Sequence, residues 1–209
     1  SGNGKQHTYN KQRQRIAGNA VRGKNENIDV IPLASGNVFE LGIGSGLNLK
    51  YYDPEKVTKV TGIDPDDYIW ERSCKRRLEC PIPVHRIGIG ADSKVPIPDD
   101  SFDSVVVTYT LCSIDDAVGA LHEAKRLMKP NGTLYFCEHG KAPDSKTEKL
   151  QKRIEPISRV LGGGCCPGKD IIALFTEAGF HIQRCEEGYL DPSKPSPHLY
   201  NYCGIAKAQ

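Results

Sequence analysis

Short apolar runs bounded by glycine, proline or charged residues alternate along the chain with segments whose apolar residues fall three and four apart. The runs predict strands near residues 37–41, 59–63, 84–89, 103–109, 133–138, 180–185 and 200–206. Between them, Ala120, Leu121, Ala124, Leu127 and Met128 share one helical face, and KPNG is expected to stop that helix. Leu150, Ile154, Ile157 and Leu161 form a second apolar stripe, which Pro156 is expected to kink or divide. Asp170 stands where it can cap IIALFTEA, and Gly179 where it can end it. Strands alternating with helices predict an α/β fold, a mainly parallel sheet covered by helices. No repeat and no linker divides the chain, and residues 192–197 read as a loop before the last strand.

Composition narrows the function classes. With 209 residues and 38% hydrophobic content, the chain suits one domain with an ordinary core, within the usual range of about 100–200 residues. Lys and Arg total 28 against 26 acids, so no overall field draws it to nucleic acid or anionic lipid. The cations Lys5, Lys11, Arg13, Arg15, Arg22 and Lys24 all precede the first acid, Glu26. They are read as the solvated face of an N-terminal helical segment or lid over residues 1–30, with an acidic partner or membrane surface as the alternative. The opening SGNGK is left out of the fold reading. No apolar stretch approaches the about 18–20 residues of a membrane span, so a soluble, cytoplasmic protein is expected. The eight cysteines form no C-x-x-C and no histidine pair has zinc-finger spacing. No structural metal is therefore expected, and most cysteines are read as reduced core residues.

The first strand ends in an acid and then places Gly42, Gly44 and Gly46 at alternate positions. A strand turning sharply into a helix needs free φ, and a ligand against that turn needs backbone without a Cβ. The dinucleotide pattern would require glycine at 47, where Leu47 stands. VTGID ends in Asp64, 18 residues beyond Gly46, the place where a doubly wound fold puts an acid on ribose hydroxyls. The Asp64 spacing alone suits a nicotinamide cofactor equally well, and Leu47 is what argues against one.

ELGIGSG resembles the first motif of class I S-adenosylmethionine-dependent methyltransferases. GADSKVPIPDDSFDSVVV resembles that family's third region, and HEAKRLMKPNGTLYF its helix, turn and fifth strand, so the likeness covers about residues 36–140. The resemblance implies a doubly wound, mostly parallel seven-stranded Rossmann-like sheet over residues 31–209, with S-adenosylmethionine as cofactor and S-adenosylhomocysteine as product. Carried residue by residue, Glu40 faces the methionine amino end and Gly42, Gly44 and Gly46 line the cofactor. Asp64, followed by Pro65, binds the ribose, and Ala91 and Asp92 border the adenine. Thr108, Thr110 and Leu111, with Tyr109, sit beneath the sulfonium, and Tyr9 belongs to a segment closing over the cofactor. The family's order at the adenine is acid then alanine; here it is Ala91 then Asp92, which leaves a backbone contact rather than a side-chain one. Two residues also have plainer readings: Glu40 capping nearby amides, and Asp64 opening a turn before Pro65.

A sulfonium methyl is already activated, so a protein need only align it with a nucleophile, exclude water and accept a proton. Alignment alone is worth up to about 7–11 kcal/mol, so neither metal nor covalent residue is required. His139, in CEHG at the end of the fifth strand, is the candidate base, with Tyr9 and His198 as flanking candidates and a purely structural histidine as the alternative. TLCSIDD, FCEHGKA and GGGCCPGKD resemble segments of a small subgroup that includes the animal thiol methyltransferases, whose N-terminal membrane helix has no counterpart in this sequence. That likeness implies a small thiol as methyl acceptor. The alternatives are nitrogen or oxygen on a small metabolite or lipid headgroup, a Rossmann oxidoreductase, and a non-catalytic cofactor-binding protein. The vicinal Cys165 and Cys166 raise arsenic or redox chemistry with Cys112 as a partner, against the plainer reading of a tight turn with one cysteine buried and one merely adjacent.

Overall fold

A computed structural model describes residues 30–161, 164–189 and 200–209. Tyr9, His198 and the basic stretch before residue 30 lie outside the described residues. Among the described residues seven strands form one sheet: β1 (Gly36–Leu41), β2 (Val57–Ile63), β3 (Val84–Ile87), β4 (Phe102–Thr108), β5 (Met128–His139), β6 (Phe180–Tyr189) and β7 (Tyr200–Ala208). Their order is β3-β2-β1-β4-β5-β7-β6. The first five strands pair in parallel, while β7 runs antiparallel to both β5 and β6.

The central strands β1, β4 and the second half of β5 are largely buried on both faces, which explains their near-continuous apolar runs, whereas the edge strands β3 and β6 are partly exposed. Phe39, Leu41, Val105, Val107, Leu134 and Phe136 point to one core, and the intervening Val38, Val106, Tyr135 and Cys137 to the other. The first core is closed by α3 (Ala117–Leu127) through Ala120, Leu121, Ala124 and Leu127, and by α5 (Ile171–Glu177) through Ile171 and Phe175. Two short helices, α1 (Asp67–Glu71) and α2 (Cys74–Glu79), link β2 to β3. Asp170 caps α5 by accepting from the Ala173 amide, and Gly179 at φ 73° follows its end.

Several expectations change. KPNG does not separate helix from strand, because α3 ends at Leu127 and Met128 already belongs to β5. Residues 129–132 instead bulge out of the ladder between the Phe102–Met128 and Ser104–Thr133 pairs. Pro156 does not divide α4 (Ser145–Leu161). Lys152, whose carbonyl loses its helical partner to that proline, lies on the exposed face of the helix. The stripe on α4 is also not a buried one: Leu150 and Ile157 are 43% and 61% exposed and Ile154 is half-buried, while the buried positions are polar Gln151 and Ser158. Gln151 donates to the carbonyls of Gly140 and Pro167 and accepts from the Ala142 amide, so polar bonds replace part of the apolar contact. Finally, Cys137 and Cys203 are joined in a disulfide, because the antiparallel register sets them opposite each other.

Candidate functional site

The strand order reverses between β1 and β4: the chain leaves β1 toward β2 on one side, and β4 lies on the other. In an open parallel sheet this switch point, at the carboxyl ends of the strands, is where ligands bind. The three glycines lie there with φ of 77°, 50° and 68° for Gly42, Gly44 and Gly46, the left-handed region that other residues enter at a cost. Their surroundings differ. A Cβ on Gly42 would stand 2.4 Å from Thr110 Oγ1, and one on Gly46 would stand 2.8 Å from Leu49 Cδ1. A Cβ on Gly44 would meet nothing nearer than Asp64 Oδ2, at 3.7 Å. Gly42 and Gly46 therefore make room for the protein's own side chains, whereas a Cβ on Gly44 would make only ordinary contacts, with Asp64, Ile69 and the Gly42 carbonyl.

Asp64 lies beside Gly44. Its Oδ2 accepts from the Gly44 amide at 3.0 Å and its Oδ1 from the Asp66 amide at 2.9 Å. The second bond closes a turn around Pro65, so the plain turn role is present, and it leaves the carboxylate with acceptor capacity for hydroxyls. The Asp64–Gly44 bond also ties the end of β2 to the glycine turn.

Glu40 is placed differently from the expectation. It is 2% exposed, with Oε1 accepting from Asn48 Nδ2 at 2.7 Å and Oε2 from the Tyr52 hydroxyl at 2.9 Å. Its partners are side chains, neither backbone amides nor an open crevice. Burial pushes its pKa up to about 7 despite these two bonds. Asn48 also donates to Thr108 Oγ1 at 2.8 Å, so one amide joins the ends of β1 and β4. After β3, Ala91 packs against the core while Asp92 is exposed. The Asp92 carboxylate folds back over Gly90, where an added Cβ would stand 2.5 Å from its Oδ1.

Beyond β4 the backbone turns at Tyr109, a non-glycine residue at φ 48° whose hydroxyl donates to Asn201 Oδ1. The next residues enter a single 3₁₀ turn, Leu111–Ser113. Glu138 caps it: Oε1 accepts from the Thr110 and Leu111 amides at 2.7 and 3.2 Å. Burial, with the Cys112 thiol nearby, raises Glu138 to about 8. Its Oε2 is buried and has no hydrogen-bond partner among the described residues.

His139 ends β5 and is buried beside two thiols. Its Nε2 lies 3.0 Å from Cys165 Sγ, and Cys112 Sγ completes a triangle whose ligand atoms all lie within 4.8 Å of one another. The Tyr109 ring packs on the imidazole at 5.6 Å between centroids. Hydrogen bonding from Cys165, aided by His139, holds the Cys112 thiol well below the ordinary range even though burial acts the other way. The loop carrying Cys165 is fastened to the 3₁₀ turn. Lys169 Nζ donates to the carbonyls of Leu111 and Ile114, and the Cys166 amide donates to the Cys112 carbonyl at 2.8 Å.

Cys165 and Cys166 are both buried, so the reading of one buried and one merely adjacent cysteine does not hold.

Residues 39–136 match the sequence profile of the methyltransferase domain family. The thiol S-methyltransferase TMT1B of Rattus norvegicus is 33% identical over 132 residues, which are 61% of this chain and 53% of that protein. The thiol S-methyltransferase TMT1A of Homo sapiens is 29% identical over 171 residues, 79% of this chain and 69% of that protein. A SAM-dependent methyltransferase of Thermotoga maritima has the same fold, with a TM-score of 0.64 at 19% identity and 98% of both chains covered. Residues 39–136 are thus similar to methyltransferase domains, and the fold is one that S-adenosylmethionine-dependent methyltransferases share. The chain spans about half the length of the TMT1B proteins it matches.

The residues at the glycine turn fit S-adenosylmethionine, the cofactor that these likenesses indicate. The bare backbone at Gly44 and the Asp64 carboxylate beside it form a cradle that a side chain at Gly44 would fill. Sequence reasoning missed Asn48, Tyr52, Glu138 and Lys169, which hold the site from behind. Asn48 and Tyr52 carry no motif of their own, and Glu138 stands out in the sequence only as the neighbour of His139. The meeting of Cys112, His139 and Cys165 has no local spacing to reveal it, because the three residues come from a 3₁₀ turn, a strand end and a distant loop.

Proposed function

We propose that the protein transfers the methyl group of S-adenosylmethionine to a small thiol. The observation that carries this reading is the convergence of three segments, TLCSIDD, FCEHGKA and GGGCCPGKD, at one place beyond β4 and β5, where they form the Cys112, His139 and Cys165 cluster. Relatives named thiol S-methyltransferase support the same acceptor.

When bound, the cofactor supplies an electrophilic methyl group on a positively charged sulfur. Asp64 accepts from the ribose hydroxyls, and Gly44 lets the backbone approach without a side chain between. Thr108, Thr110 and Leu111 wall the crevice below, with Glu138 fixing the turn that carries the last two. Ala91 and Asp92 border the adenine through backbone. In the metal-free protein His139 takes the proton that the acceptor thiol loses. A thiol, with an ordinary pKa near about 8.5, needs only modest help to become the nucleophile. Its sulfur lone pair forms the new C–S bond while the old C–S pair returns to the departing thioether.

Incubation of the purified protein with methyl-labelled cofactor and a panel of thiols, amines and phenols tests the assignment. Labelled methyl thioether is the expected product. Turnover of amines or phenols alone would replace the thiol with a nitrogen or oxygen acceptor, and no turnover on any class would favour a non-catalytic cofactor-binding protein.

A further inference from the structure

We propose that Cys112, His139 and Cys165 form a binding site for a zinc ion. The three donor atoms lie within 4.8 Å of one another. That span suits ligands around one tetrahedral centre with Zn–S near about 2.3 Å and Zn–N near about 2.0–2.1 Å. Two sulfurs and one imidazole are a donor set that favours zinc over the hard, oxygen-seeking cations. The side chains are 2%, 8% and 7% exposed, in the order Cys112, His139, Cys165. Neither cysteine is joined in a disulfide, although the Cys137–Cys203 pair on the neighbouring strands is.

The backbone holds the donors together independently of any ion. Lys169 clamps the Cys165 loop onto the carbonyls of Leu111 and Ile114, and the Cys166 amide bonds to the Cys112 carbonyl. Gln151 fastens the far end of the same loop through the Pro167 carbonyl. Ligands positioned in advance lower the ordering cost of binding.

Three protein ligands leave a fourth position open, the arrangement of zinc sites that do chemistry rather than those that only brace a fold. This part rests on the thiol reading above: the acceptor thiol is the fourth ligand. On binding it gives its proton to solvent and meets the metal as thiolate. The sulfur then attacks the methyl carbon, the carbon–sulfonium bond breaks with its electrons staying on the departing sulfur, and the thioether product leaves the metal. With zinc present, His139 is therefore a ligand and not the proton acceptor.

Metal uptake is read without cofactor or turnover. The chelator-treated full chain is titrated with zinc against a chromophoric chelator and, separately, with cobalt(II). One equivalent of zinc is expected, and cobalt should produce thiolate charge-transfer absorption in the near ultraviolet. Cys112→Ser and Cys165→Ser should each weaken zinc binding by more than the about 10–100-fold that a change outside the ligand set costs, whereas Cys166→Ser should keep it. X-ray absorption of the zinc-loaded wild type should find two sulfurs and a nitrogen, a readout that stands even where a variant fails to fold. Absence of stoichiometric uptake, uptake unchanged in the doubly substituted Cys112→Ser, Cys165→Ser chain, or coordination without sulfur would overturn the site. Addition of a small thiol to the cobalt form should shift its spectrum. Zinc uptake without thiol methylation would sink the acceptor reading and leave the site; thiol methylation without uptake would do the reverse.

Discussion

Thr110 occupies the place that a side chain on Gly42 would need: an added β-carbon would stand 2.4 Å from its Oγ1. The contact draws the turn after β1 against the turn after β4, across the point where the sheet reverses its order. Gly44, two residues on, has no such neighbour.

Alanine at these two positions should therefore fail in different ways. Both substitutions meet the left-handed backbone penalty of about 1–2 kcal/mol. Gly42→Ala adds a clash with Thr110 and should lower thermal stability the more. Gly44→Ala should keep most of the stability yet lose affinity for S-adenosylhomocysteine, because its methyl group enters the cofactor cradle. Paired melting curves and calorimetric titrations check the contrast; equal loss of affinity and stability in both variants would remove the special role of Gly44.

Asp64→Asn should weaken S-adenosylhomocysteine binding by the loss of charged hydrogen bonds, about 1.5–3 kcal/mol. The asparagine carbonyl can still accept from the Asp66 amide, but its amide nitrogen cannot accept from the Gly44 amide as Oδ2 does. A melting curve recorded beside the calorimetric titration separates lost affinity from a loosened glycine turn. An unchanged dissociation constant would leave Asp64 with its bonds to the Asp66 and Gly44 amides alone.

The parallel half of the fold was legible because buried strands must be apolar on both faces, and Val38 to Leu41 or Val105 to Val107 show this without any partner being known. The capping of α5 by Asp170 was legible because a cap is a local bond. What depended on meetings between distant segments was not legible. Nothing near Glu40 announces Tyr52 as its partner, since the 3₁₀ turn at Leu49–Tyr51 brings the phenol back onto the strand end. The exposed stripe on α4 misled for the complementary reason: helical spacing identifies a face but not what lies against it, and Gln151 took the inward position.

The buried acids make stability depend on pH. Glu40 is raised from 4.5 to about 7 and Glu138 to about 8, in both cases chiefly by burial. At low pH the folded and unfolded chains both carry these protons. As pH rises past the unfolded value, the unfolded chain ionises first, so stability falls until the folded pKa is reached and then levels off. Glu40→Gln removes one of these titrations while its amide can still accept from Asn48 and donate to the Tyr52 oxygen. Relative to the wild type, the variant should gain on the order of 1–3 kcal/mol between about pH 5 and about pH 8. Urea unfolding at both pH values measures it, and a difference independent of pH would show that Glu40 ionises normally inside the fold.

Lys169 joins the cysteine loop to the turn after β4 by donating to Leu111 and Ile114 carbonyls. Lys169→Met keeps much of the aliphatic stem but leaves both carbonyls without their charged donor, a loss of about 1.5–3 kcal/mol where such bonds are shielded. The glycine turn and Asp64 are separate from this contact, so affinity for S-adenosylhomocysteine should be retained. The loop should open more often, exposing Cys112 and Cys165 to alkylating reagents and separating them from His139. Faster iodoacetamide labelling of those two cysteines, together with slower methyl transfer at undiminished cofactor affinity, is the expected result. Labelling at the wild-type rate would mean that Gln151 and the Cys166 amide hold the loop without Lys169.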